Sequence, residues 1–141
     1  MSYLSDARAA IIAKAAGITG VQYTYPRIPD TIAGSPAFVL GEVTWVTIPG
    51  DRERSTYSFE LTLYQERLGD DDPTIAAVDD LIELAQQAYS QGITLGQTGQ
   101  TTQCVVRGGS ANTWVSIGET LYLTAILRIE LAASRQRGYT A

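Results

Sequence analysis

Residues 119–131 read ETLYLTAILRIEL, and every second position is apolar: Leu121, Leu123, Ala125, Leu127, Ile129 and Leu131. Such alternation puts one row of side chains on a buried sheet face and the intervening row toward solvent. The run is about twice an average strand and would reach ~40 Å at roughly 3.3 Å per residue. A strand that long needs a long partner. Residues 56–67, TYSFELTLYQER, supply one, because Tyr57, Phe59, Leu61 and Leu63 alternate in the same way. The chain is therefore expected to build a long antiparallel sheet with one apolar face.

Other elements follow from local chemistry. Residues 4–16 place Leu4, Ala7, Ile11, Ile12 and Ala15 on one helical face, with Ser2 or Ser5 able to cap the start and Gly17 just past the end. Residues 18–36 contain Pro26, Pro29 and Pro36 without a period, so they read as an extended connector laid over the core. Residues 37–48, AFVLGEVTWVTI, read as a first strand, apolar on both faces in its first half. Pro49 and Gly50, followed by Asp51, Arg52, Glu53 and Arg54, make a charged turn. With the strand at 56–67 this gives a long β-hairpin whose loop is about seven residues.

Asp70, Asp71, Asp72 and Pro73 open a second helix, with Asp72 expected as N-cap and Pro73 at the first helical position. Ile75, Val78, Leu81, Ile82, Ala85 and Tyr89 form its stripe and Gly92 its end. Residues 93–118 are rich in Gly, Thr, Gln and Ser. Within them TTQCVVRG reads as a short strand and GGSANT as its turn, before a closing strand at 115–132. Residues 134–141 read as a tail that frays or is ordered by a partner.

One apolar face per strand and one apolar stripe per helix are buried together by a two-layer arrangement. The expected fold is α+β: a mainly antiparallel sheet of four or five strands with both helices on one face. Leu61, Leu63, Leu123, Leu127, Ile129, Ile11, Val78, Leu81 and Ile82 are its expected core. The 141 residues suit a single domain with an ordered core at about 4–132.

Composition then narrows the function. There is no histidine, and Cys104 is the only cysteine. Cys104 has no internal disulfide partner, which fits a reducing cytoplasm, and Asp6, Arg8 and Lys14 interrupt any secretory leader. No apolar stretch approaches the ~20 residues of a membrane span. Ten basic against fifteen acidic residues give a net charge of −5, the wrong sign for a general nucleic-acid-binding surface. Lys14 is the only lysine among the basic residues. Arginine is enriched in protein interfaces and lysine depleted there, although genomic base composition gives the same bias.

Candidate chemistry fares poorly against simpler readings. The three acids at 70–72 point in different directions and match no cation-binding loop, whereas helix capping explains them. Cys104, beside Val105 and Val106, reads as a half-buried strand thiol without a base to activate it. Glycines at 92, 96, 99, 108 and 109 fall in no phosphate-binding context and read as turn residues. Glu60 and Glu66 share the polar face of a strand, where a carboxylate pair is conceivable but a solvated sheet face is the simpler meaning. Trp45 reads as strand core. Trp114, beside GGSANT, reads equally as an interface anchor or as a side chain folded onto its own sheet.

The order of elements resembles the tail terminator and tail-completion proteins of long-tailed bacteriophages, the minor tail protein U-like group. The resemblance is carried by YTYPRIPDTIAGSPAFVL after the first helix and DDDPTIAAVDDLIELAQQA between strands, and it covers roughly residues 4–132. It implies a structural virion protein without catalytic residues, cofactor or metal. Copies would form a ring, usually a hexamer, that caps the tail-tube protein and meets the head–tail connector or adaptor, while DNA passes the lumen without specific binding. Residues expected at contacts between chains are Asp51, Arg52, Glu53 and Arg54 at the hairpin tip, Asn112 and Trp114 in the loop 108–114, and Arg135 and Arg137 in the tail. Competing readings are another phage neck protein, a cellular α+β ligand-binding module, and a hydrolase using carboxylates alone.

Overall fold

The computed structural model of the chain describes residues 3–50, 52–91 and 101–136. Helix α1 (Tyr3–Ala16) buries Ala7, Ile11 and Ala15, a narrow stripe at four-residue spacing, with Leu4 and Ile12 half-buried at its flanks. Its end is closed by hydrogen bonds from Gly17 N to the Lys14 carbonyl and from Ile18 N to the Ala15 carbonyl. The proline-rich connector then holds an unexpected short strand, β1 (Tyr23–Tyr25). It pairs parallel with the start of β2 (Ala37–Ile48), so the sheet is mixed. Proline spacing hid this strand, because three alternating residues are too few to show a period.

Strand β3 (Arg52–Glu66) returns antiparallel to β2 after only residues 49–51, a shorter loop than the charge run suggested. Residues 52–54 belong to the strand, and the loop ahead of them is correspondingly short. Helix α2 (Asp71–Gln91) buries Thr74, Val78, Leu81, Ala85 and Tyr89, while Ile82 is only half-buried. The helix begins two residues before Pro73, where the Asp72 cap would start it. Asp71 is already helical, and Thr74 Oγ1 donates to the Asp70 carbonyl at 2.9 Å while accepting from Leu68 N at 2.8 Å. The expected end at Gly92 lies outside the described residues.

The largest departure is at β4 (Thr101–Ile117), a single strand of 17 residues where a short strand and a turn were expected. Register shifts at 101/103, 106/108 and 110/113 let GGSANT stay within the strand as bulges. Gly108 and Asn112 take positive φ angles of 152° and 63° there. Those residues imitate turn chemistry because a bulge needs the same backbone freedom. The real turn is at Gly118–Glu119, and β5 (Thr120–Gln136) runs beyond residue 132 into the expected tail.

Sheet order is β1-β2-β3-β5-β4. The two long alternating runs are direct partners, with Phe59 opposite Ile129, Leu61 opposite Leu127 and Leu63 opposite Ala125. Both helices pack on that apolar face, and one core joins Ile11, Phe38, Leu40, Phe59, Leu61, Val78, Leu81, Tyr89, Leu127 and Ile129. Arg8 of α1 lies 5.9 Å from the Phe59 ring centroid and donates to the Gly41 carbonyl at 3.3 Å. On the opposite face, Glu42, Thr44, Ser58, Glu60 and Arg128 line a shallow polar hollow.

Candidate assembly surface

Strand β1 covers β2 only at Ala37, Phe38 and Val39. Past the bulge between Leu40 and Val43, the outer edge of β2 has no strand beside it among the described residues. An open, regular strand edge is a template for pairing with another chain, and proteins usually blunt it with charge or bulges. Here residues 43–48, VTWVTI, carry no charge. They stay in unbroken register with β3, from Val43 opposite Phe59 to Ile48 opposite Arg54.

Three large apolar side chains stand on that edge: Trp45 is 59% exposed, Val46 69% and Ile48 63%. Trp45 sits opposite Tyr57 on the helix-bearing face, and Val46 opposite Thr56 on the other. Tyr57 is buried because α1 brings the Tyr3 ring over it, with centroids 5.2 Å apart. Thr47 and Ser55 share a 3.0 Å hydroxyl hydrogen bond, which fixes the hairpin near its tip. The core reading of Trp45 is therefore corrected. Its strand reads as apolar on both faces in its first half, as a buried strand would be, but past the bulge one edge and the helix layer stop short of Trp45.

The opposite sheet edge, β4, is built differently. Its bulges break the edge into short pieces. Gly109 packs so closely on β5 that a side chain there would meet the Ile126 carbonyl oxygen. Between this glycine-lined stretch and α2 lies an open groove of about 220 Å³, lined by Ile82, Gln86, Gly109, Ala111 and Leu127 among others. The groove exists because residues 108–111 offer almost no side-chain volume.

The residues singled out from sequence fall into two separate groups. Arg52, Glu53 and Arg54 on β3 lie alongside Gln136, Arg135 and Ser134 of β5, so the hairpin tip and the end of β5 do meet. Arg54 is exposed and Glu53 half-buried. Asn112 and Trp114 sit toward the other end of the sheet, where Trp114 pairs with Leu123 and packs half-buried against the core. The expected loop at 108–114 is thus bulged strand, and Trp114 folds onto its own sheet. Asp51 and Arg137 lie outside the described residues.

Chemistry at the remaining candidates is muted. Burial pushes the Cys104 thiol up to about 11, an effect that nearby Lys14 partly offsets. A thiol held protonated at neutral pH is a poor nucleophile. Glu60 and Glu66 are six strand residues apart, roughly 20 Å at 3.3 Å each, too far to act on one bond. Among the described residues, no group of three or more His, Cys, Asp or Glu is arranged to hold a metal. No described helix is long and apolar enough to cross a membrane. Comparison with protein-family profiles gave no matching family, and comparison with curated proteins gave no matching relative.

Proposed function

We propose that this chain is a ring-forming structural protein of a phage virion, a tail terminator that caps the tail tube and joins it to the head–tail connector. The observation that carries the assembly part is the open edge of β2, with Trp45, Val46 and Ile48 exposed on an uncharged strand. An edge of this composition is stable in solution when another protein surface covers it. The place in the virion comes from the resemblance in element order and texture. The net charge of −5 supports it, because an acidic lumen lets DNA pass without sticking.

A ligand-binding module is less well supported. Two hollows, of about 320 Å³ around Glu42, Glu60 and Arg128 and about 350 Å³ around Lys14, Thr19 and Gln87, have charged or polar groups in their linings and only reach the lower end of the ~300–1,000 Å³ of usual small-molecule pockets. The apolar groove beside α2, at about 220 Å³, falls below that range. It is also open rather than enclosed, as suits a protein side chain more than a small molecule.

The test is genetic and structural together. Deleting the gene from a phage that carries it should give tails of irregular, excessive length that fail to join filled heads. Tails of normal length would move the protein to another neck position. A phage that assembles normally without it would overturn the virion role.

A further inference from the structure

Two features on opposite edges of the sheet complement each other. Trp45 projects from the β2 edge on the helix-bearing side. The groove beside β4 opens on the same side, since α2 and Leu127 form its wall. We infer that Trp45 of one copy inserts into the α2–β4 groove of the next copy, and that this contact repeats around the ring. The inference rests on the ring reading and specifies its interface.

A Trp45 side chain seated in this groove belongs to a second copy. Strands β2 and β4 are separated by β3 and β5, about 14 Å at the usual strand spacing, with the core helices lying over the path. A tryptophan cannot cross that distance within its own chain. The two surfaces differ, so the contact is heterologous, and each copy offers one knob and one groove. That arrangement closes into a ring when the rotation per copy permits.

Chemistry and charge agree. Neither Trp45 and Val46 nor the groove-lining Ile82, Gln86, Gly109, Ala111 and Leu127 carries a charge, so burial strands no ion. Gln86 lines the groove and carries an amide oxygen, a group able to accept the indole N–H that a buried tryptophan must satisfy. Tryptophan buries on the order of 150–250 Å² when enclosed, enough for a hot spot but not for a whole interface of ~1,600 Å². The rest must come from the edges lying alongside, which include Val46 and Ile48.

Register adds a geometric consequence. Trp45 is level with Leu131 of β5 through Tyr57, whereas the groove is level with Leu127. The two differ by four strand residues, roughly 13 Å at 3.3 Å each. Neighbouring copies should therefore be offset along the strand direction by about that amount, so a closed ring requires the strands to run across the ring axis, since an offset along the axis would give an open helix.

The experiment uses two full-length variants, Trp45→Ala and Gln86→Trp, both at exposed positions, with circular dichroism melts to verify folding. Association is followed by mass photometry and analytical ultracentrifugation. Each variant alone should lose rings, with at least about a 30-fold weaker association. Mixed one to one, they should form a dimer and stop, because the Gln86→Trp copy still has its knob and the Trp45→Ala copy still has its groove. Rings that persist in Trp45→Ala would overturn the contact and leave the ring reading standing. Wild-type rings with no dimer in the mixture would do the same. A wild-type chain that stays monomeric at every concentration would overturn both.

Discussion

The Tyr89 hydroxyl donates a 2.7 Å hydrogen bond to the main-chain carbonyl of Ile11, joining α2 to α1 across 78 residues of sequence. Tyr89 is fully buried, and the bond satisfies the one polar atom that would otherwise make a poor core group. Burial pushes its phenol well above the usual tyrosine range, with Cys104 adding to the effect. Tyr89→Phe keeps the ring and removes the bond, so it should lower stability by about 1 kcal/mol in urea denaturation. Replacement by Ala should cost several times more, because the ring fills the space between the helices.

Leu81 and Trp45 provide a matched contrast. Leu81 is buried under α2 in the common core, and Leu81→Ala should cost on the order of 2–5 kcal/mol. Trp45 is larger but stands exposed on the strand edge, so Trp45→Ala should change monomer stability by about 0.5 kcal/mol or less. Chemical denaturation of both at a concentration that keeps the chain monomeric measures the difference directly.

At Gly109 the backbone leaves no room. A methyl group there would collide with the Ile126 carbonyl oxygen and press on Leu127, both main-chain atoms that cannot swing aside. Gly109→Ala should cost about 1–3 kcal/mol as overpacking. Gly41→Ala is the control, since its nearest neighbour would be the Glu60 carbonyl oxygen at an ordinary 3.7 Å.

Cys104 supplies a pH dependence. Its thiol has an ordinary value of 9.0 and is raised to about 11 by burial. Below pH 9 both folded and unfolded chains keep the proton, so the group adds no slope. Between pH 9 and 11 the unfolded chain releases its proton first, binds fewer protons than the folded chain, and stability falls as pH rises. Cys104→Ala should flatten that loss. In the native protein at pH 8 a disulfide reagent should label the thiol far more slowly than in guanidinium chloride.

Sequence alone carried the architecture where a period ran long enough. The alternation at 57–63 and 121–131 named two strands, their mutual pairing and their core residues, and Val78, Leu81, Ala85 and Tyr89 marked a helix face. It was silent where the signal is short or shared. Three residues at Tyr23–Tyr25 cannot display a period, and GGSANT has the composition of a turn because bulges and turns both need positive φ. The exposed edge of β2 was harder still. Trp45, Val46 and Ile48 look like core by type, and only the short reach of β1 along β2 exposes them. A signal was present in VTWVTI itself, apolar on both faces and directly before a charged turn, although nothing in it fixes which edge stays open.

The central claim is that this chain assembles through its sheet edges into a closed ring. Mass photometry of the wild-type protein across a concentration series reads this most directly. A discrete species at a fixed multiple of the chain mass, six for a hexamer, should grow with concentration, and Trp45→Glu should abolish it without lowering the melting temperature of the monomer. A single monomeric species across the whole range, with the same profile for both proteins, would contradict the account.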